Sequence, residues 1–418
     1  MSNKPCDVLL TNGSYYGTVA AARFFGRLGH RVVVADSDSR HVTRFSRYFS
    51  EGIDYPEKGD FRRRMEALLD YGKAHPGTLL YPCSDDHAWI MAMHRDELSE
   101  HFLTYQPSFE VLENLLNKEL LYRTCEQLKV PVPETYYPRN ENHLEALADQ
   151  LVGRRALIKP KTQVGIRVTK KAVVTDGGSG IVGEYCSFRE RFSYYKAVSE
   201  HSKALNWPML QEFHPDASTS TISIAGFRSR DGDVFHALAS RKALQYPLKI
   251  GVGLVFESLG DQPELFDRVR RICEDVGYFG VFEAEFIQTP GEHLLMDFNP
   301  RFYGQMALEI ARGLPLPGMV AEAAQGRALK PVSLSPGPHL LRHGSLLKLI
   351  STTQFLGGRI AWSQRRDWLS LGRSSEVTCV DHIYDPEDRG PWIADILKRI
   401  YKYLRHPRSS FLTLFGNA

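Results

Sequence analysis

Residues 281–301 read VFEAEFIQTPGEHLLMDFNPR. Two apolar runs, Val281 to Ile287 and Leu294 to Phe298, flank the turn signal Thr289-Pro290-Gly291, so the segment reads as a strand pair. Glu285 lies on the first run, Asp297 follows twelve residues later, and Asn299 and Arg301 continue at period two. Alternation puts Asp297, Asn299 and Arg301 on one face of an extended chain, with Phe298 on the other. A hairpin would bring Glu285 level with Asp297. Two carboxylates and an amide oxygen at one point suit a hard cation such as magnesium, which keeps waters and bridges to phosphates. Taken alone, the motif reads equally well as a solvated strand face and a turn.

Working upstream, Gln211-Glu212-Phe213-His214 closes a strand expected over Met209 to Phe213, and a further strand is expected over Thr219 to Ala225. Such an extended hinge can offer backbone groups to an adenine edge, or it is an ordinary strand end. Ala156-Leu157-Ile158-Lys159-Pro160 reads as a strand ending in a lysine that is costly to bury without an anion. Lys118 falls in a leucine-periodic stretch, Phe109 to Lys129, which predicts a helix stopped by Pro131-Val132-Pro133. A lone helical lysine is usually solvated, but Lys118 and Lys159 are both candidate phosphate ligands. Helices are expected over Pro263 to Val276 and Gln305 to Ala311.

The N-terminal part opens with a strand at Asp7 to Leu10, a helix from Thr18 to Leu28 and a second strand from Arg31 to Ala35. That is a βαβ unit, and it implies parallel strands. Thr11-Asn12-Gly13-Ser14-Tyr15-Tyr16-Gly17 lacks the dinucleotide fingerprint spacing, so nucleotide binding here is the weaker reading. Leu79 to Pro82 is another strand, leading into Asp85 and Asp86, which either touch a substrate or cap the helix starting near Ala88.

The order of these features resembles the ATP-grasp superfamily between about Asn117 and Gly326, and most of all its carboxylate–amine ligase branch. The resemblance implies an α/β chain: a pre-ATP-grasp, Rossmann-like domain over 1–112, a two-lobed α+β ATP-grasp domain over 113–330 with its hinge near 211–214, and a small C-terminal extension over 331–418. It implies that Lys118 and Lys159 bind the ATP phosphates and that Gln211, Glu212, Phe213 and His214 grip adenine. It implies that Glu285, Asp297 and Asn299 hold magnesium, with manganese an acceptable substitute. Arg301 would contact the transferred phosphoryl or the substrate carboxylate. Arg241 and Lys242, in Ser240-Arg241-Lys242-Ala243-Leu244-Gln245-Tyr246-Pro247 through Gly251-Val252-Gly253, would reach the γ-phosphate. Two departures stand out. The phosphate-covering loop, Lys161-Thr162-Gln163-Val164-Gly165, has one glycine where the family is rich in small residues, and past the hinge only Asp216 offers an acid to the ribose. The segment around Gly165 is still expected to close as a lid.

The implied reaction is ATP-dependent amide or peptide bond formation through an acyl phosphate, releasing ADP and phosphate, on amino acids or a small peptide. A carboxylase is the alternative within enzymes, although no biotin-carrier motif occurs. A nicotinamide oxidoreductase lacks its fingerprint, and a catalytically dead nucleotide sensor would be free to lose ligands that this chain keeps.

The bulk properties fit an enzyme of small molecules. The 418 residues are 43% hydrophobic and 24% charged, and the net charge of +3 gives no pointer to nucleic acid. Six scattered cysteines read as free thiols. The absence of a leader-like start and of any run near the ~20 residues that span a bilayer leads to a cytoplasmic expectation. A homodimer is left open. The basic, aromatic chain after Lys330 reads as packing on the core or making a subunit contact, with docking of a large acidic or lipid-like substrate as the alternative.

Overall fold

Among the described residues three sheets organise the chain. The computed structural model describes residues 6–406 apart from 168–171, 179, 219 and 248–250. The first sheet has the spatial order Phe49–Asp54, Val32–Asp36, Val8–Thr11, Thr78–Leu80, Phe102–Thr104, all parallel, with apolar inner strands and a half-exposed edge at Phe49–Asp54. Val8–Thr11 is buried along its whole length, as a parallel sheet covered on both faces requires. Tyr16–Arg27 is the crossover helix, and it begins two residues before the expected Thr18.

A small antiparallel sheet follows, ordered Thr135–Tyr136, Met209–Glu212, Ala156–Lys159, Val173–Thr175. The third sheet has seven strands: Glu292–Asn299, Gly280–Thr289, Thr221–Arg228, Phe235–Tyr246, Val252–Ser258, His339–Arg342 and Thr378–Asp381. The start of the strand expected at Thr219, and 248–250 of the basic loop, lie outside the described residues. One face of the central sheet packs Ile222, Ile224, Ala284 and Phe286 into the largest core.

One element differs from expectation. The stretch Phe109 to Lys129 forms two helices, Phe109–Leu116 and Lys118–Gln127. Asn117 breaks them: its backbone is extended, and its side-chain oxygen accepts from the Glu119 N–H at 3.1 Å, capping the second helix. Leucine periodicity runs through both helices, so it hides the break, which puts Lys118 in a helical first turn. The chain after residue 331 packs on the rest of the structure. Its strands His339–Arg342 and Thr378–Asp381 extend the central sheet, and buried Arg23 of the crossover helix donates to Asp388 at 2.9 Å and to the Ile383 carbonyl at 2.8 Å.

Candidate active site

The hairpin Gly280–Thr289/Glu292–Asn299 pairs Glu285 with Asp297 and Glu283 with Asn299. All four side chains therefore leave the sheet on one face. Glu283 is the member that the sequence reading missed, although it lies at period two from Glu285. It is buried, accepts from Asn299 Nδ2 at 2.6 Å and from Gln305 Nε2 at 2.7 Å, and takes the Ser223 hydroxyl as well. Burial, and then the neighbouring Glu285 charge, push its carboxyl well above the usual range.

Cations answer these acids. Lys118 Nζ forms an ion pair with Asp297 Oδ1. Burial pushes the Asp297 carboxyl up, but Lys118, Lys159 and Arg301 outweigh it and hold the group below its ordinary value. Lys159, at the end of Ala156–Lys159, is buried. Desolvation and the like charge of Lys118 draw its amine down to about 7, against the pull of Asp297 and Glu285. A polyphosphate beside it would restore its charge.

Arg301 links this cluster to the first sheet. Its Nη2 donates to Asn299 Oδ1 at 2.7 Å, its Nη1 to Tyr15 Oη at 3.2 Å, and its Nε to Asp85. Asp85 opens the helix Asp85–Met93, but Ser84 is the cap, accepting from the His87 N–H. Asp85 thus serves Arg301, while Asp86 accepts from the Gly165 N–H at 2.7 Å.

The other predicted site residues divide. Ser240 pairs with Ser223, so Lys242, two residues on, lies on the acidic face, buried. Arg241 pairs with Ile222 and leaves on the opposite face, where it is exposed and bonded to Glu257 at 2.5 Å. Strand alternation therefore removes Arg241 from the cluster. At the hinge, the Gln211 amide is buried and donates to Tyr122 Oη at 3.1 Å and Thr135 Oγ1 at 2.9 Å. The Glu212 and Phe213 N–H groups are bonded to the Glu134 and Arg155 carbonyls. Phe213 lies under the Arg155 guanidinium, and Glu212 lies 3.4 Å from His214. Beside them is a cleft of about 310 Å³ lined by His214, Ile287, Thr289 and Leu294 among others.

The loop after Lys159 is anchored where it is described. Lys161 is fully buried and donates to Glu119 Oε2 at 2.8 Å, and its carbonyl accepts from the Lys118 N–H at 2.8 Å. Gly165 has φ +61°, and a Cβ there would meet Val198 at 2.6 Å. Glycine is therefore required at 165 by both backbone and space, and 168–171 of the expected lid lie outside the described residues.

Among the described residues no three His, Cys, Asp or Glu side chains converge as a metal site. The hard oxygen donors of Glu285 and Asp297 nonetheless suit magnesium, which needs few protein ligands when phosphates supply the rest. Asp297 would have to share its carboxylate with Lys118.

No protein-family model matches the chain. In sequence it is similar to the D-aspartate ligase of Enterococcus faecium, 22% identical over 325 residues, 74% of this chain and 75% of the relative. In structure it resembles the L-amino acid ligase of Bacillus licheniformis, with TM-score 0.56 and 13% identity, covering 78% of this chain and 75% of that one. It also resembles the biotin carboxylase domain of the Hydrogenobacter thermophilus 2-oxoglutarate carboxylase in complex with MgADP and bicarbonate. There the TM-score is 0.61 at 13% identity, over 80% of this chain and 74% of the other. The chain has the ATP-grasp fold. The acidic hairpin and the two lysines share one neighbourhood, while Arg241 and the Gln211 amide lie outside it. No helix of the described residues is long and apolar enough to cross a membrane.

Proposed function

We propose that the protein is an ATP-dependent carboxylate–amine ligase acting on amino acids or a small peptide, with domains over 1–112, 113–330 and 331–418. The observation that carries this reading is the meeting of Glu285 and Asp297, in register, with Lys118 and Lys159. The D-aspartate ligase relative supports an amino-acid substrate.

Lys118, Lys159 and Lys242 bind and orient the polyphosphate. Adenine lies in the cleft lined by His214, Ile287 and Leu294, a role narrower than a grip by all of Gln211 to His214. Glu285, Asp297 and Asn299 are the residues that would hold magnesium, which neutralises phosphate charge when bound. A substrate carboxylate oxygen attacks the γ-phosphorus in line, the bond to the β-phosphate oxygen breaks, and ADP and an acyl phosphate form. The amine then attacks the acyl carbon, loses a proton and expels phosphate. Arg301, steered by Asp85 and Tyr15, stabilises the oxyanion that develops in both steps. Positioning and charge, more than covalent work, are asked of the chain.

The test is ADP release screened over pairs of amino acids, with mass analysis of the product. A product heavier than one amino acid by the other, less water, is expected. ADP release that needs bicarbonate and no amine would sink the ligase reading in favour of a carboxylase.

A further inference from the structure

The helix Gly390–Arg405 is seated through a mixed polar and apolar face and leaves an apolar stripe in solvent. Three of its charged side chains, Asp395, Lys398 and Arg399, are turned toward the protein. Lys398 Nζ donates to Asp38 at 2.6 Å and Ser14 Oγ at 3.2 Å, and Arg399 donates to Asp395 at 2.8 Å and Tyr16 Oη at 2.9 Å. Ala394 joins the small apolar contact with Val19, Val42 and Ile383. The opposite face carries Ile393, Leu397, Ile400, Tyr401 and Leu404, at spacings of four, three, one and three residues. These fall on one stripe of a 3.6-residue helix. All five stand in solvent, between 48% and 76% exposed. A helix seated only to complete a core would turn this stripe inward, and the ion pairs beneath show that the seating is specific. Contiguous exposed apolar surface of this kind marks a contact site.

Charge selects the occupant. Asp395 is the helix's one acid and is engaged by its own Arg399. From Ile396 to the end of the sequence there are five cations, Lys398, Arg399, Lys402, Arg405 and Arg408, and no Asp or Glu. Lys398 and Arg399 are engaged by Asp38 and Asp395, and among the described residues Lys402 and Arg405 are the cations exposed beside the stripe. A second copy docking stripe to stripe would bring two such cationic helices together with no free carboxylate on either to answer them. An anionic lipid surface answers both features: acyl chains take the apolar side chains and head groups take the cations. We infer that the outer face of Gly390–Arg405 is a docking surface for an anionic membrane, on which the protein lies without crossing it. The inference is independent of the ligase reading.

The experiment is co-sedimentation of the full chain with vesicles of phosphatidylcholine mixed with phosphatidylglycerol, against phosphatidylcholine alone. Binding to the anionic vesicles, weakened by salt, is expected. The double variant Leu397→Glu/Ile400→Glu should lose at least about tenfold in affinity while keeping its melting temperature. No binding, or equal binding to both vesicles, overturns the inference. So does a dimer in sedimentation velocity that the variant dissociates, which would assign the stripe to a second copy. A variant that melts early without vesicle binding in the parent also overturns it, since the chain's own residues 407–418 would then be the cover.

Discussion

Lys118 and Asp297, 179 residues apart in the chain, meet as an ion pair between the capped start of Lys118–Gln127 and the strand Glu292–Asn299. The proposed phosphate ligand and the proposed metal ligand are thus already in contact, each lowering the cost of burying the other. A bound polyphosphate would replace Asp297 as the partner of Lys118 and free the carboxylate for a cation.

Asp297→Asn keeps the shape of the strand and removes the charge. ADP release should fall by roughly a hundredfold or more, with far-ultraviolet circular dichroism unchanged. Wild-type turnover in a folded variant would remove Asp297 from the site.

Lys159 gives a proton signature. Its amine titrates near 7 in the free protein, so at pH 8 it is mostly neutral. Beside polyphosphate it should recharge, and nucleotide binding at pH 8 should take up a proton. Calorimetry in buffers of different ionisation enthalpy measures this. Lys159→Met should abolish the uptake and weaken nucleotide binding by about tenfold or more.

Arg301 is judged by its fork. Lysine keeps the charge but cannot serve Asp85, Tyr15 and Asn299 together. Arg301→Lys should cut kcat by roughly a hundredfold and change nucleotide affinity little, separating its role from that of the lysines. An equal loss in nucleotide affinity would reassign Arg301 to ATP binding.

Glu309 predicts a stability trend. It is buried under the Tyr303 hydroxyl, which donates to it at 2.8 Å, and burial raises its carboxyl to about 7. The folded chain therefore holds a proton that the unfolded chain releases near 4.5. That stabilisation is complete below the unfolded value and is lost as pH rises through 7. Glu309→Gln should then stabilise the protein by about 1–3 kcal/mol at pH 8 and little at pH 5, as urea unfolding at the two pH values would record.

Much of this was legible along the chain. The Glu285/Asp297 register, Lys159 at a strand end and the helix Pro263–Val276 follow from alternation, a turn and helical periodicity, which are short-range properties. The partners were not legible. Glu283 reads as one more strand residue until Asn299, Gln305 and Ser223 converge on it from three other segments. The engagement of the Gln211 amide by Tyr122 and Thr135, and the outward face of Arg241, were not legible because spacing says nothing about which neighbour claims a side chain.

The sequence by itself determined the parallel βαβ start, the acidic hairpin and the order of lysine, lysine, hinge and acids, because each rests on backbone geometry repeated over a few residues. Only the tertiary structure decided that Lys118 would meet Asp297, that Asp85 would aim Arg301, and that Gly390–Arg405 would turn its apolar stripe outward. Those outcomes depend on which distant groups share a desolvated space, and charge pairing there outweighs the local pattern.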